Sequence, residues 1–357
     1  MTKHDYYYDI SEDMKRFPAC WAFLIIGGRS TGKTYGTLWH CYDNGIKFVF
    51  IKRTIEDVNL LCNRGKLGQY ELDLSPFKPI NRDKGCNVQS RLISDKGIGA
   101  FYDVDGEGNI EGQAVGYILA LSAVQKFKGF DLSECGMIIF DEFIPQPWER
   151  VNRKEGEQLL DLYKTVARDR EHRGQDALKL VCLANAVNIS NPVMSIFEKV
   201  DAVADMQATG GEYLEENGVL VHMLKTSDAF MDTEKETSLF KSMGRTAWGR
   251  MAFDNEFAYD DLTNIGKVNL KGYKCIVHLI YKQSDWYIYR KEGMYYISTA
   301  RNEKYAAEYN LNLENDQKLF NIKHRIRIYD ACIMHKVVFQ SYTMYDVIMN
   351  YTKYFKL

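Results

Sequence analysis

The chain has 357 residues, of which 46% are apolar and 26% charged, with a formal net charge of −2. Such usage is that of an ordinary soluble globular protein and excludes long disordered tracts, while the length predicts a large domain plus a smaller one. With so little net charge, a nucleic-acid partner would need a local basic surface rather than a basic chain.

The opening segment, MTKHDYYYDISEDMKRF, is acidic and tyrosine-rich where a secretory signal would be basic and then apolar. The longest apolar stretch, Ala19–Ile26, falls far short of the ~18 residues that cross a bilayer. Neither export nor a membrane partner is expected. Eight cysteines stand singly, with no Cys-x-x-Cys pair and no zinc-like companion histidines, and read as reduced core thiols of a cytosolic protein.

Trp21 to Ile26 is a short continuous apolar run ending at Gly27, which suits a strand buried on both faces of a parallel sheet. A Gly-rich turn, a helix-competent stretch from Lys33 to Tyr42 and a second apolar run from Lys47 to Lys52 complete a βαβ unit. From about Leu67 to Gly112 the rhythm is lost, and turn residues predict an inserted hairpin region. Within it, Asp103-Val104-Asp105-Gly106 misplaces the glycine of a calcium loop and reads as a plain turn. Apolar runs return at Ala114–Leu121, Met137–Phe140 and Leu178–Ala184.

Five buried strands with helical connections predict a mostly parallel α/β sheet over residues 1–205. Residues 206–264 read as a linker: a hairpin around Asn217-Gly218 between Glu212 and Leu224, then a polar, partly helical connector. Tyr273–Tyr281, Trp286–Arg290 and Met294–Thr299 predict an antiparallel meander in a small α+β domain at residues 265–357.

Gly27-Gly28-Arg29-Ser30-Thr31-Gly32-Lys33-Thr34 satisfies G-x-x-x-x-G-K-[ST] between a strand and a helix, where a phosphate-binding P-loop belongs. Gly27 and Gly32 permit close approach, successive amides point at phosphate oxygens, and the helix N-terminus adds its positive end. Lys33 is expected to neutralise the β and γ phosphates of ATP and Thr34 to ligate Mg2+. Gly136-Met137-Ile138-Ile139-Phe140-Asp141-Glu142 supplies two adjacent carboxylates after an apolar run. Asp141 is assigned to the metal and Glu142 to the attacking water; Asp-Glu is also a common strand-end cap. The run Leu178–Ala184 ends at Asn185, a turn asparagine or a sensor of the γ-phosphate.

Between the loop and the acidic strand in sequence lies the strand Lys47–Lys52, with Ala114–Leu121 as a further one, and such an extra strand marks the additional-strand, catalytic-glutamate division of P-loop ATPases, which this sequence resembles. Gly27–Tyr35, Phe50-Ile51-Lys52-Arg53-Thr54, Ser122 with Lys128-Gly129, and Ile139–Phe143 together resemble phage terminase-type DNA-packaging ATPases. The likeness is to the short encapsidation proteins of small podoviruses of the salasvirus type, specific across about residues 20–190 and only architectural beyond. It implies a ring, commonly a pentamer, in the host cytoplasm at the portal vertex of a procapsid. That ring would pump double-stranded DNA, with a packaging RNA as a further partner.

Such rings take a basic residue from the neighbouring subunit. The candidates are Arg168, Arg170 and Arg173 in a helical segment, Val166–Arg173, with Lys126 and Lys128 as a second set. Arg53 and Trp21 are candidate base contacts. For DNA, the loop Asn63–Gly68 offers Arg64 and Lys66, and a basic strand edge offers Lys323, Arg325 and Arg327 beside Tyr329.

The family also implies a degenerate ribonuclease H-like C-terminal domain. Only Asp285, Glu292 and Asp330 could serve metals there, so nuclease activity is not expected. Two rivals share the ATP-site residues: a helicase or recombination ATPase of the same division, and a nucleotide-gated assembly protein without motor function.

Overall fold

An apolar strand with no polar face must be covered on both sides, and the computed structural model shows how this chain covers its own. It describes residues 7–65, 72–127, 129–149, 151–226, 228–257 and 260–356. The five apolar runs are strands β1 (Ala22–Ile26), β2 (Phe48–Lys52), β5 (Ile110–Ala120), β6 (Met137–Asp141) and β7 (Lys179–Ala184). Between β2 and β5 lie β3 (Val88–Ser94) and β4 (Ile98–Val104), and after β7 come β8 (Tyr213–Glu216) and β9 (Val219–Met223). All nine form one sheet in the order β3-β4-β5-β2-β6-β7-β1-β9-β8.

The six strands from β5 to β9 in that order pair parallel. Every residue of β1 is buried, as the absence of alternation requires. Register then fixes the site: Ile26 sits opposite Ala184, Leu183 opposite Asp141, and Phe140 opposite Ile51. The C-terminal ends of β1, β7, β6 and β2 therefore leave the sheet along one edge.

In the sheet, β7 separates the loop strand β1 from the acidic strand β6, and β2, which lies between those two in sequence, is beyond β6. Several expectations change. The inserted region does hold a hairpin, β3–β4, laid antiparallel on β5. The Asn217-Gly218 hairpin is no linker element, because β9 pairs parallel with β1 and extends the main sheet. The chain divides into two units, one running through Phe197 and resuming at Thr209, the other formed by Glu198–Ala208 and the chain from Asp260. The boundary drawn at residue 205 thus falls inside the helix Val200–Thr209. The connector after 228 carries short helices, of which Ala247–Phe253 belongs with the first unit.

The second unit contains the expected meander, β10 (Lys274–Tyr281), β11 (Ser284–Lys291) and β12 (Met294–Ser298). Two further strands, β13 (Ala307–Asn310) and β14 (Val337–Phe339), pair parallel with β10 and β12. Its core gathers Val277, Leu279, Ile288, Ile297, Phe320, Ile328, Phe339 and Tyr351. Asp285 and Glu308 both bond the ring of His278, at 2.8 and 3.0 Å. Glu292 occupies the β11–β12 turn with φ +49°, and Asp330 lies exposed on a helix. Among the described residues no group of three or more His, Cys, Asp or Glu could hold a metal ion.

One buried polar cluster in the first unit was not anticipated. Asp13, on the helix Ile10–Arg16, accepts from Tyr8 Oη and meets His222 Nδ1 of β9, both at 2.7 Å. Tyr213 stacks on His222 with ring centroids 4.1 Å apart, and Arg16 lies over Tyr213. The N-terminal helix is thereby pinned to the hairpin. Asp13→Ala strands a buried hydroxyl and a buried imidazole, and is expected to cost about 2–4 kcal/mol in urea unfolding. A loss below about 0.5 kcal/mol, the range of an exposed substitution, would refute that role.

Candidate functional site

The loop after β1 is shaped by two residues in left-handed backbone, Ser30 at φ +61° and Gly32 at φ +80°. Gly32 is the cap residue of the helix Lys33–Asp43, which has no side-chain cap, so its first-turn amides have no partner within the helix. Those amides and the helix dipole make a positive site at the loop. Glycine is required on steric grounds too: a Cβ on Gly28 would come within 2.8 Å of the Ala252 carbonyl, and one on Gly32 within 2.6 Å of Tyr7. The same Ala252 carbonyl accepts from Arg29 N at 2.8 Å, so the helix Ala247–Phe253 supports the loop from outside. Asn255 adds to this by donating to the carbonyls of Ile26 and Leu224.

Lys33 is buried beneath the loop. Its Nζ donates to Gly28 O at 2.7 Å, Gly27 O at 3.0 Å, Thr31 Oγ1 at 3.2 Å and Asn185 Oδ1 at 3.3 Å. Burial lowers its pKa to about 8, Asp141 opposing and Arg29 reinforcing the fall. Thr34 Oγ1 donates to Asp141 Oδ1 at 2.8 Å, joining the loop's helix to the end of β6. The loop and the acids, more than a hundred positions apart in sequence, are therefore in direct contact.

Lys52, the last residue of β2, places Nζ 3.0 Å from Asp141 Oδ2 and 3.2 Å from Glu142 Oε2. Burial alone would lower its pKa, but the two carboxylates outweigh that and raise it. Sequence reasoning missed this residue as part of the site. Its signal was there, a lysine closing an apolar strand, but only the β2–β6 pairing aims it at the acids.

Glu142 is directed by a turn rather than by strand alternation: its φ is +61°, and its side chain is largely exposed. Arg53 holds that turn, donating to Glu142 O at 2.9 Å and Phe143 O at 3.2 Å. The same guanidinium binds the buried Glu155 through Nε at 2.8 Å and the more exposed Glu149 at 3.1 Å. Arg53 is thus engaged as a brace between two carboxylates and two carbonyls. Trp21 packs on Tyr163 and Phe197 at the end of β1 away from the loop.

A cavity of about 390 Å³ opens where these groups meet, lined by residues 29–35, Asp141, Glu142 and Leu183–Asn185. A larger depression of about 680 Å³, bordered by Lys235, Phe240, Lys241, Arg245, Arg250 and Asp254, contains none of the motif residues. The smaller one combines amides and cations suited to a polyanion with a hydroxyl and a carboxylate suited to a hard cation.

The basic candidates lie elsewhere. The segment expected to be one helix breaks at Arg168, whose φ is +42°, and resumes as a short 3-10 turn at Glu171–Arg173. Arg168 donates to Phe130 O and pairs with Asp131. Arg170 donates to the carbonyls of Asp176, Ser133 and Cys135, and Arg173 is exposed beside Asp169. Cys135 precedes β6 while Asp141 ends it, and the six residue steps between them span about 20 Å when extended. The arginines therefore sit at the edge of the sheet opposite the cavity. Lys126 is exposed on the 3-10 helix Leu121–Phe127, and Lys128 lies outside the described residues, as do Lys66 and Gly68. Lys323, Arg325 and Arg327 lie on a helical stretch, not a strand edge, and Arg325 is spent on the carbonyls of Ile348 and Met349.

A family model described as "Podovirus DNA encapsidation protein (Gp16)" matches residues 99–347, more than half of the chain. The DNA packaging protein of Bacillus phage B103 is 29% identical over 267 residues, covering 72% of this chain and 71% of its own. The DNA packaging protein of Bacillus phage phi29 is 26% identical over 302 residues, with coverage of 82% and 79%. Among solved structures, a chain of the bacteriophage Phi-29 viral genome packaging motor assembly aligns with a TM-score of 0.65 at 18% identity, covering 98% of this chain and 99% of that one. A chain of the Phi-28 gp11 DNA packaging motor aligns at 0.61 and 16%, covering 98% of each. At such identities the structural likeness is one of fold.

The brace makes a measurable demand on stability. Burial raises the pKa of Glu155 and Arg53 pulls it back, so Arg53→Ala leaves a buried carboxylate unpaired, costing about 3–5 kcal/mol at pH 8. With its folded-state pKa raised further, the carboxyl binds more protons folded than unfolded, so the deficit shrinks as pH falls toward 5. Adding Glu155→Gln should recover part of the loss at pH 8. Equal deficits at both pH values, with no recovery in the double variant, would show that Arg53 does not act through Glu155.

Proposed function

Because the chain belongs to the podovirus DNA encapsidation protein family, we propose that it is the motor of genome packaging, hydrolysing ATP to drive double-stranded DNA into a preformed capsid. The observation that carries this reading is the contact of Thr34 with Asp141 beside the buried Lys33. By joining the loop to the acids, it supports reading the cavity as a P-loop ATPase site of the additional-strand, catalytic-glutamate kind.

The residues fit Mg2+-ATP. The amides of residues 29–34, with Lys33 and Arg29, bind the β and γ phosphates, and the phosphates restore to Lys33 the charge that burial disfavours. Thr34 and Asp141 would hold Mg2+, which when bound neutralises charge on the phosphate oxygens. Glu142, exposed toward solvent, orients the attacking water and takes its proton, while Lys52 and the Arg53 brace set its position. Asn185, bonded to Lys33, is placed to respond to the γ-phosphate, and Tyr35 borders the same cavity.

A cation at the opposite sheet edge cannot serve its own active site, which supports delivery to a neighbour in a homo-oligomeric ring, a pentamer by family resemblance. Arg168 and Arg173 suit that role better than Arg170, whose guanidinium is bonded to three carbonyls. The ring would act at the procapsid portal in the host cytoplasm, with a packaging RNA as a further partner. The second unit, read as a degenerate ribonuclease H-like domain, would grip rather than cut, since Asp285 is bonded to His278.

Steady-state ATPase rates with and without duplex DNA test the proposal. Lys33→Ala should abolish nucleotide binding, whereas Glu142→Gln should retain it and lose about 10²–10⁴-fold in kcat. Hydrolysis indifferent to duplex DNA would sink the motor, and unwinding of a forked duplex would favour a helicase. For the trans contact, Arg168→Ala subunits should bind ATP normally, hydrolyse about 10³-fold more slowly and poison mixed rings out of proportion to their fraction. Strictly proportional loss in mixtures would count against delivery between subunits.

A further inference from the structure

The larger depression of the first unit carries no motif, yet its lining is chemically one-sided. Lys235, Lys241, Arg245 and Arg250 border it together with Phe240 and Ser242, against one carboxylate, Asp254. In a chain of net charge −2 this is a local basic surface. Three of the cations are paired with acids that do not line the depression: Lys235 with Asp232 and Lys241 with Glu236, both at 3.0 Å, and Arg250 with Glu256 at 3.2 Å. Arg245 has no ion-pair partner among the described residues. The three paired cations are 46–58% exposed. Pairs so exposed contribute about 0–1 kcal/mol each, so these side chains are released to a ligand at little cost.

The wall of this depression is continuous with the outer support of the loop at residues 27–34. Arg250 lies on the helix Ala247–Phe253, whose Ala252 carbonyl accepts from Arg29 N at 2.8 Å. The helix Ser238–Met243, which carries Phe240 and Lys241, packs on it without a gap: a Cβ on Gly249 would run into the carbonyl oxygens of Met243 and Gly244. Behind them the rings of Phe240 and Phe253 meet with centroids 5.0 Å apart. Elements packed this closely transmit strain, so a ligand gripped by Lys241 and Arg250 acts on the loop's support.

We propose that this depression takes backbone phosphates of a nucleic acid, and that its occupancy stiffens the nucleotide loop through the helix Ala247–Phe253. Arginine forks and lysine ammonium groups are the donors that suit phosphate oxygens, and the half-buried Phe240 ring offers a surface to a sugar or base. Cations this open to water are screened from a small free anion. A string of linked phosphates gains instead from the counterions that each contact releases. The site stands on its own lining; its effect on the loop rests on the reading of that loop as an ATP site.

The test uses the full chain carrying Lys33→Ala, so that the loop itself holds no nucleotide, with a short duplex oligonucleotide, inorganic pyrophosphate and poly-glutamate as probes. Adding Lys241→Glu with Arg245→Glu should weaken duplex binding by about tenfold or more. Lys241→Gln with Arg245→Gln, which removes charge without adding acid, should reproduce most of that loss. In both, the slope of log affinity against log salt should fall by about two, one for each contact removed. Duplex affinity and slope unchanged in both variants overturn the site, as does pyrophosphate or poly-glutamate binding as tightly as the duplex. With Lys33 intact, saturating duplex should tighten binding of a non-hydrolysable ATP analogue by about threefold or more, and the Lys241→Glu, Arg245→Glu variant should lose that effect. Duplex that binds but leaves the analogue's affinity unmoved overturns the coupling. A parent chain that binds no analogue at all would instead fail the ATP reading, and the duplex measurements on the Lys33→Ala chain would still decide the site.

Discussion

The hydrogen bond from Thr34 to Asp141 is the contact on which the site's geometry depends, yet it could not hold that geometry by itself. A bond of this kind contributes only about 1 kcal/mol net. What fixes it is the parallel register of β1, β7 and β6, which brings Ile26, Ala184 and Asp141 to one edge of the sheet. Three strands buried along nearly their whole length cannot slip by a residue without turning core side chains to water. The rigidity of the apolar sheet is thus converted into the placement of a hydroxyl, two acids and an ammonium group.

Around that contact the chain stores strain and then supports it. Ser30 and Glu142 both occupy left-handed backbone, where a residue with a Cβ is disfavoured. The loop is steadied from outside by the Ala252 carbonyl and by Asn255, and the acidic turn by Arg53 with its buried partner Glu155. Both supports come from segments far from the loop in sequence. The same sheet separates two kinds of charge, with carboxylates and Lys33 at the strands' C-terminal ends and Arg168, Arg170 and Arg173 at the other. A catalytic site that needed one of these arginines would have to borrow it from another subunit.

Much of the first unit was legible because each buried parallel strand is an uninterrupted apolar run and because glycine and Asn-Gly mark their turns. The five runs and the Asn217-Gly218 hairpin fall where the residues put them. Lys33, Thr34, Asp141, Glu142 and Asn185, which the fold gathers around one cavity, were singled out from residue type and from position at a strand's end, both local properties. Arg53 and Trp21 show the complementary limit of such local reasoning. Their residue types suit a base, but one is consumed by carboxylates and carbonyls and the other lies at the wrong end of its strand.

By itself the sequence determined which segments become strands and which residues stand at their ends, because burial on both faces demands continuous apolar runs and sharp turns demand particular residues. Only the tertiary structure decided the order of those strands. It put β7 between loop and acids, carried the hairpin into the main sheet, aimed Lys52 at Asp141, and gave Glu198–Ala208 to the second unit. The physical reason is that a strand's hydrogen-bonding edges are nearly the same in every apolar segment. Which edge meets which is settled by side-chain packing between elements distant in sequence, and no local pattern records it.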